Sequence, residues 1–326
     1  MTETTSIDVN GVTLQVHEAG VRANPTVVLC HGFPELAYSW RHQMDPLADA
    51  GFHVVAPDQR GYGHSSAPGA VDAYGIGDLT GDLLALLDHY GKTDAVFVGH
   101  DWGALIVWDM ARLHPDRVRA VVGVSVPFVH WPAPPTDLMK MTYGDRFFYI
   151  LYFQNPPTAE DELGADPYTT MATMLWSASG PGFAGRDLTA PTPPMEGTGF
   201  LTVMSQPPPT PFVGAEGVWL TEADLRHYAD EFAHSGFFGP VSYYRNLDAN
   251  FRATSTLGPE RVTMPAFFIS GTLDVVAVMD PSGVERMRNL LPDYRGEAII
   301  EGVGHWTQQE APAAFNEALL GFLRDL

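Results

Sequence analysis

Polar and apolar residues alternate from Ser6 to Asn10 and again from Val12 to His17. This period of two predicts a pair of half-buried strands, with Asn10-Gly11 as the hairpin turn between them. Thr26 to Cys30, His53 to Pro57, Ala95 to Val98 and Ala120 to Val126 are instead continuous, β-branched-rich apolar runs, as expected of strands buried on both faces. Between them the pattern becomes helical: Trp40 to Leu47 forms one predicted helix, and Leu79, Leu83, Leu84, Leu86 and Leu87 mark a second that ends near Gly91. Ala104 to Leu113 forms a third. Strands alternating with helices in this way predict a mostly parallel sheet with helices on both faces.

The alternation stops near residue 128. Proline clusters follow at Pro132 to Pro135, Pro156-Pro157, Pro191 to Pro194 and Pro207 to Pro211, with aromatic, helix-like pieces between them. Such proline density does not support central strands, so residues 128–251 are read as an inserted cap of helices and long loops. Strands resume at Ala266 to Ser270 and Ala298 to Glu301, and an amphipathic helix runs from about Ala313 to Leu326 behind Pro312. The expected organisation is an α/β core of residues 1–127 and 252–326, its eight-stranded sheet interrupted by the cap.

Composition narrows the class. With 326 residues, 45% of them hydrophobic, the chain can bury a large core. Its formal charge of −21, from 39 acidic and 18 basic residues of which only Lys92 and Lys140 are lysines, disfavours nucleic acid, anionic membranes and anionic substrates. A small neutral substrate is expected. Cys30 is the single cysteine, so neither an intrachain disulfide nor a cysteine metal cluster can form, and it reads as a small buried strand residue. Met1 to Thr5 has no features of a secretory signal, and no stretch approaches the ~20 apolar residues of a membrane span. A cytoplasmic location is the expectation.

The chemistry centres on Gly99-His100-Asp101-Trp102-Gly103, which lies between an apolar strand and a helix. This is the context of the Gly-x-Ser-x-Gly nucleophile elbow of the α/β-hydrolase fold, here with Asp for Ser. The two glycines suit a sharp turn with a strained nucleophile, and the helix N-terminus favours an ionised carboxylate. An ordinary helix cap is the competing role for Asp101. A carboxylate that displaces a leaving group from saturated carbon leaves an ester, which water can then cleave. Epoxides or alkyl halides are the expected substrates. His305, in Gly302-Val303-Gly304-His305-Trp306 after the last strand, is placed to be the base for the second step. Asp274, in the turn after Ala266 to Ser270, is placed to orient it, and the order Asp101, Asp274, His305 is the nucleophile, acid, base order of this fold. For the oxyanion, the amide of Phe33 in His31-Gly32-Phe33-Pro34 can join that of Trp102. Pro34 stiffens that turn, a cis bond being one means.

These residues resemble the epoxide hydrolases of the α/β-hydrolase superfamily. The matching stretches are HGFPELAYSWRHQ at 31–43, DQRGYGHSSAP at 58–68, GHDWGALIVWDMARLHPDRV at 99–118, ILYFQ at 150–154, YYRN at 243–246 and GHWTQQEAP at 304–312. The resemblance implies hydrolysis of an epoxide to a vicinal diol, without a cofactor or metal, and with two cap tyrosines supporting the departing ring oxygen. The motif positions carry these to Tyr149 and Tyr244; Tyr152 and Tyr243 are the neighbours most easily confused with them. His31, Pro34 and Trp102 are expected to wall the substrate pocket, with Phe33 beside them. Glu35 either orders the hydrolytic water or is a surface carboxylate. Water and a small neutral epoxide are the expected partners, and a homodimer is a possible assembly.

The nearest rival, haloalkane dehalogenase, uses the same aspartyl ester, but many of those enzymes hold halide with Asn where Phe33 stands. Fluoroacetate-type dehalogenases resemble HGFPE yet are expected to carry Arg where Trp102 follows the nucleophile. A ligand receptor on a decayed hydrolase scaffold is the alternative from another class, and it would need none of this constellation.

Overall fold

The computed structural model describes residues 3–184, 186–187, 190–204 and 212–326. The proline cluster from Pro207 to Pro211 therefore lies outside the described residues. Strands β1 (Glu3–Val9) and β2 (Val12–Ala19) pair antiparallel with Val9 opposite Val12. Asn10 and Gly11 both have positive φ, 46° and 79°, the backbone that a two-residue hairpin of this type requires. β3 (Thr26–Cys30), β4 (His53–Pro57) and β5 (Ala95–His100) are buried at every position. They are followed by β6 (Val118–Val124) and, beyond a small hairpin of β7 (Phe212–Gly214) and β8 (Gly217–Leu220), by β9 (Ala266–Gly271) and β10 (Tyr294–Ile300).

The main sheet has eight strands in the order β1-β2-β4-β3-β5-β6-β9-β10. β2 is antiparallel to β4, and every pairing from β4 to β10 is parallel. Successive residues of each buried strand point to opposite faces, so two cores form. Val28, Cys30 and Phe97 pack under helices α2 (Ile76–His89) and α3 (Trp102–Leu113). Val27, Leu29, Val96 and Val98 pack under α1 (Arg41–Asp49) and the C-terminal helix Pro312–Arg324. The chain runs from β3 to β4 on one side and then to β5 on the other. This reversal of strand order opens a crevice at the carboxyl ends of β3 and β5, where ligands bind in open α/β sheets.

Between β6 and β9 lie helices α4 (Pro135–Tyr143), α5 (Tyr149–Tyr152), α6 (Thr158–Gly164), α7 (Pro167–Ser177), α8 (Gly180–Ala184), α9 (Glu222–Ser235), α10 (Phe238–Arg245) and α11 (Leu247–Thr254), together with the β7-β8 hairpin. Tyr152, Phe153, Leu175, Tyr228 and Tyr244 from these elements share one apolar core with α2 and α3. The remaining helices are α12 (Val275–Met279), α13 (Gly283–Leu290), α14 (Thr307–Glu310) and α15 (Pro312–Arg324).

Several boundaries differ from the sequence pattern. β10 begins at Tyr294 instead of Ala298 because it is an edge strand with half-exposed residues and no continuous apolar run. The helix expected over Trp40 to Leu47 is split, a short 3-10 turn at Ala37–Trp40 preceding α1. The mostly helical stretch between β6 and β9 also carries a two-stranded hairpin, β7-β8, too short to give a readable alternation.

Candidate active site

Asp101 sits at the tip of β5 with φ 51° and ψ −115°, a conformation that costs a non-glycine residue about 1–3 kcal/mol. The surrounding glycines leave no alternative. A Cβ on Gly99 would lie 2.1 Å from the carbonyl oxygen of Gly103, and one on Gly103 would lie 2.0 Å from that of Cys30. A Cβ on Gly32 would stand 2.3 Å from the Cβ of Asp101 itself. β3 and β5 are paired with Cys30 opposite Gly99, so the HGFP turn lies directly against the elbow. The Asp101 side chain makes no cap bond to α3, which removes the simple capping role.

Instead, Oδ1 of Asp101 accepts the Phe33 N–H at 2.8 Å, and Oδ2 lies 3.6 Å from Nε2 of His305. Nδ1 of His305 donates to Oδ1 of Asp274 at 3.0 Å. Asp274 is fully buried and also accepts from Val276 N–H at 2.9 Å and Ser270 Oγ at 3.1 Å, so it caps α12 as well as orienting the imidazole. Burial raises the carboxyl pKa of Asp101, but His305, His100 and the Phe33 N–H outweigh it and hold Asp101 ionised. Burial likewise opposes a charged His305, yet Asp274 and Asp101 on either side push its pKa well above the ordinary value. Trp102 is the first residue of α3, and by that position its N–H has no acceptor within the helix.

Tyr149 and Tyr244 face the same cavity as Asp101 and His305. Their rings meet edge to face with centroids 5.8 Å apart, and Tyr244 packs against Phe33 at 5.5 Å and Trp102 at 5.1 Å. Burial and the Asp101 charge raise both phenols above their ordinary pKa, so they are protonated donors. The neighbouring tyrosines are engaged elsewhere: Tyr243 donates to the Arg60 carbonyl at 2.9 Å and Tyr152 to Glu162 at 2.7 Å. The cavity holds about 620 Å³ and is lined by Phe33, Pro34, Phe148, Phe200 and Trp306 around these polar groups.

Two expected pocket residues lie outside that lining. His31 is fully buried beneath the turn, where Nδ1 donates to the Gly32 carbonyl at 3.0 Å and Nε2 accepts the Gln59 N–H at 3.0 Å. It shapes the turn that aims the Phe33 N–H. The Trp102 indole packs edge to face against Tyr243 and Tyr244 and supports the Tyr244 phenol by a hydrogen bond, without itself lining the cavity. Pro34 does line it, and the Phe33–Pro34 bond is cis. Glu35 is no surface residue: it is fully buried, bonded to His100 Nδ1 at 2.5 Å and to the side-chain amides of Gln308 and Gln309.

Other contributors had no signal of their own. Nε2 of His100 donates to the His305 carbonyl at 2.7 Å, and Ser125 Oγ to the same atom at 3.0 Å, steadying His305 from the core side. On the cap, Gln154 Nε2 donates to the Tyr244 carbonyl at 3.1 Å, Arg245 Nε donates to that of Phe153 at 2.9 Å, and Arg245 forms a two-pronged pair with Glu160. These bonds clamp α5 to α10 and hold the tyrosines in register. The YFQ and YRN strings contain them, but only their pairing in space reveals the clamp.

Residues 25–155 match the family model described as alpha/beta hydrolase fold. Epoxide hydrolase A of Mycobacterium tuberculosis is 46% identical, covering 98% of this chain and 97% of that one, and Epoxide hydrolase B of the same organism is 40% identical over 93% and 92%. The crystal structure of Epoxide Hydrolase A from Mycobacterium thermoresistibile superposes with a TM-score of 0.90 at 47% identity, covering 99% of this chain and 98% of its own. A chain with a carboxylate on a strained elbow, a carboxylate-held histidine and two tyrosines facing one cavity thus belongs to the epoxide hydrolases of the α/β-hydrolase fold.

Proposed function

We propose that this protein hydrolyses small neutral epoxides to vicinal diols through an ester on Asp101. The observation that carries the reading is the convergence of Asp101, His305, Tyr149 and Tyr244 on one largely apolar cavity. Oδ2 of Asp101 attacks a ring carbon, and the C–O bond breaks as Tyr149 and Tyr244 donate to the departing oxygen, which would otherwise leave as an alkoxide. Esterification removes the negative charge of Asp101, one of the two carboxylates that favour imidazolium at His305. The His305 pKa falls, so the imidazolium loses its proton to solvent and the neutral imidazole is free to take one from water, the resulting hydroxide adding to the ester carbon. The oxyanion develops on Oδ1, which already accepts the Phe33 N–H and has the Trp102 N–H beside it in the chain. Collapse breaks the bond to the diol oxygen, which takes the proton held by His305, and the proton of the regenerated acid returns to the tyrosine that gave one up, which frees the diol and restores the carboxylate.

Residues 1–127 and 252–326 supply the nucleophile, acid and base in this scheme, and residues 128–251 supply the tyrosines. Among the described residues no helix is long and apolar enough to cross a membrane; a cytoplasmic enzyme without cofactor is our reading, with homodimer formation to be read from its size in solution. The test is alkylation of His305→Gln by a styrene oxide-like substrate. Mass spectrometry is expected to show the ester trapped on Asp101, and unmodified protein that still binds substrate would refute two-step chemistry. Diol formation surviving in Asp101→Ala would do the same. Turnover of 1-haloalkanes with undiminished activity in the Tyr149→Phe, Tyr244→Phe double variant would make the protein a dehalogenase.

A further inference from the structure

Glu310 is completely buried at the end of α14, and the reaction above makes no use of it. Its Oε2 accepts the N–H of Gly180 at 2.9 Å and of Gly304 at 3.3 Å, while Oε1 accepts that of Trp306 at 3.2 Å. Gly180 begins cap helix α8, whereas Gly304 and Trp306 are the two chain neighbours of His305. One carboxylate therefore ties the cap backbone to both sides of the base.

The contact around it is backbone against backbone. A Cβ on Gly180 would lie 2.4 Å from the Gly302 carbonyl oxygen, and one on Gly304 would lie 2.2 Å from the Gly180 nitrogen. Two more bonds run along the same seam, from His305 N–H to the Ala178 carbonyl at 2.8 Å and from Trp306 Nε1 to that of Leu175 at 2.7 Å. Burial pushes the Glu310 carboxyl up to about 7 against these donors, with Asp274 adding to the rise. Among the described residues no cation forms an ion pair with it. A buried carboxylate without a counter-cation is an expensive way to fill space, but an amide could not accept all three N–H bonds without turning its own donors on one of them.

We propose that Glu310 is a positioning residue for ester hydrolysis, holding the His305 loop against the cap so that Nε2 stays over the Asp101 carboxyl. The inference rests on the two-step reading above. It makes Glu310 specific to one half-reaction, because alkylation needs Asp101 and the tyrosines but no base. A displacement of the base by a fraction of an ångström to 1 Å is enough to slow its step by one to two orders of magnitude.

The experiment is single-turnover kinetics of full-length wild type, Glu310→Gln and Glu310→Asp with styrene oxide, following the ester by rapid quench and mass spectrometry. Glu310→Gln is expected to alkylate within about three-fold of wild type but to hydrolyse its ester about 10- to 100-fold more slowly, so that ester accumulates. Glu310→Asp, which keeps the carboxylate at shorter reach, is expected to recover part of the hydrolysis rate. Wild-type hydrolysis in Glu310→Gln, or equal loss in both steps, overturns the assignment. If the glutamine variant does not fold, the aspartate variant decides: slowed hydrolysis alone supports the role, and parallel loss refutes it. A wild type that turns over without any ester on Asp101 removes the two-step reading and this role together, whereas a wild-type ester with unaltered hydrolysis in the variant removes the role alone.

Discussion

His305 stands between two carboxylates, and its proton affinity depends on whether both are charged. Replacing Asp101 by Asn imitates the uncharged ester in shape and charge, so the His305 pKa, raised in the free enzyme, is expected to fall in Asp101→Asn when titrated by NMR. An unchanged value would mean that Asp274 alone sets it. The same balance separates the pH dependence of the two steps. Asp101 is held below, and Tyr149 and Tyr244 above, their ordinary values; the carboxylate ionises and the phenols stay protonated across the neutral range. Single-turnover alkylation is expected to be flat from about pH 5 to 9, while ester hydrolysis declines on the acid side as His305, and Glu310 with its carboxyl pushed up to about 7, take up protons. Tyr149→Phe with Tyr244→Phe is expected to slow ring opening by about 10²- to 10⁴-fold. Tyr243→Phe and Tyr152→Phe remove only structural bonds and are expected to cost about 1 kcal/mol of stability in denaturant titration with ring opening preserved. That Asp101, Asp274 and His305 come together was legible in the sequence because the fold places such residues at strand ends in a set order. His31 and Trp102 belong to equally legible motifs, but a motif does not say which side chains reach the cavity wall, and neither of these lines it.

At the level of elements, the two tyrosines are as well placed as the helices that carry them. α5 spans only Tyr149–Tyr152, too short to be stable by its own hydrogen bonds. Its position comes from Gln154, Arg245 and Glu160. Arg245→Lys keeps the charge but loses the two-pronged pair and its geometry, and is expected to slow alkylation about 10-fold while leaving hydrolysis of a preformed ester unchanged. Equal slowing of both steps would show that the clamp serves the cap generally. Strands buried on both faces were visible from their apolar runs, and so was the break in the alternation between β6 and β9, from its prolines. The β7-β8 hairpin, α12 and α13 were not, because short, half-exposed elements owe their form to neighbours distant in the chain.

For the molecule as a whole, a formal charge of −21 surrounds an apolar cavity. Electrostatic repulsion of this kind weakens as salt shortens its range, to about 8 Å at physiological ionic strength. The kcat/KM for an epoxide bearing a carboxylate is therefore expected to rise with ionic strength, while that for styrene oxide stays constant. A flat response for both would mean that the surface charge serves solubility alone.

The close approach of Gly180 to Gly304 bears on how such proteins can be recombined. Because cap and core are interleaved backbone to backbone beside the base, a chimera that takes residues 128–251 from a relative brings a new surface against the catalytic loop. Exchange is expected to succeed where the donor cap has glycine at the place of Gly180 and the recipient retains Gly304 and Glu310. A bulkier residue at that seam would yield a folded hybrid that binds epoxides, opens them once and then stalls as its own covalent adduct.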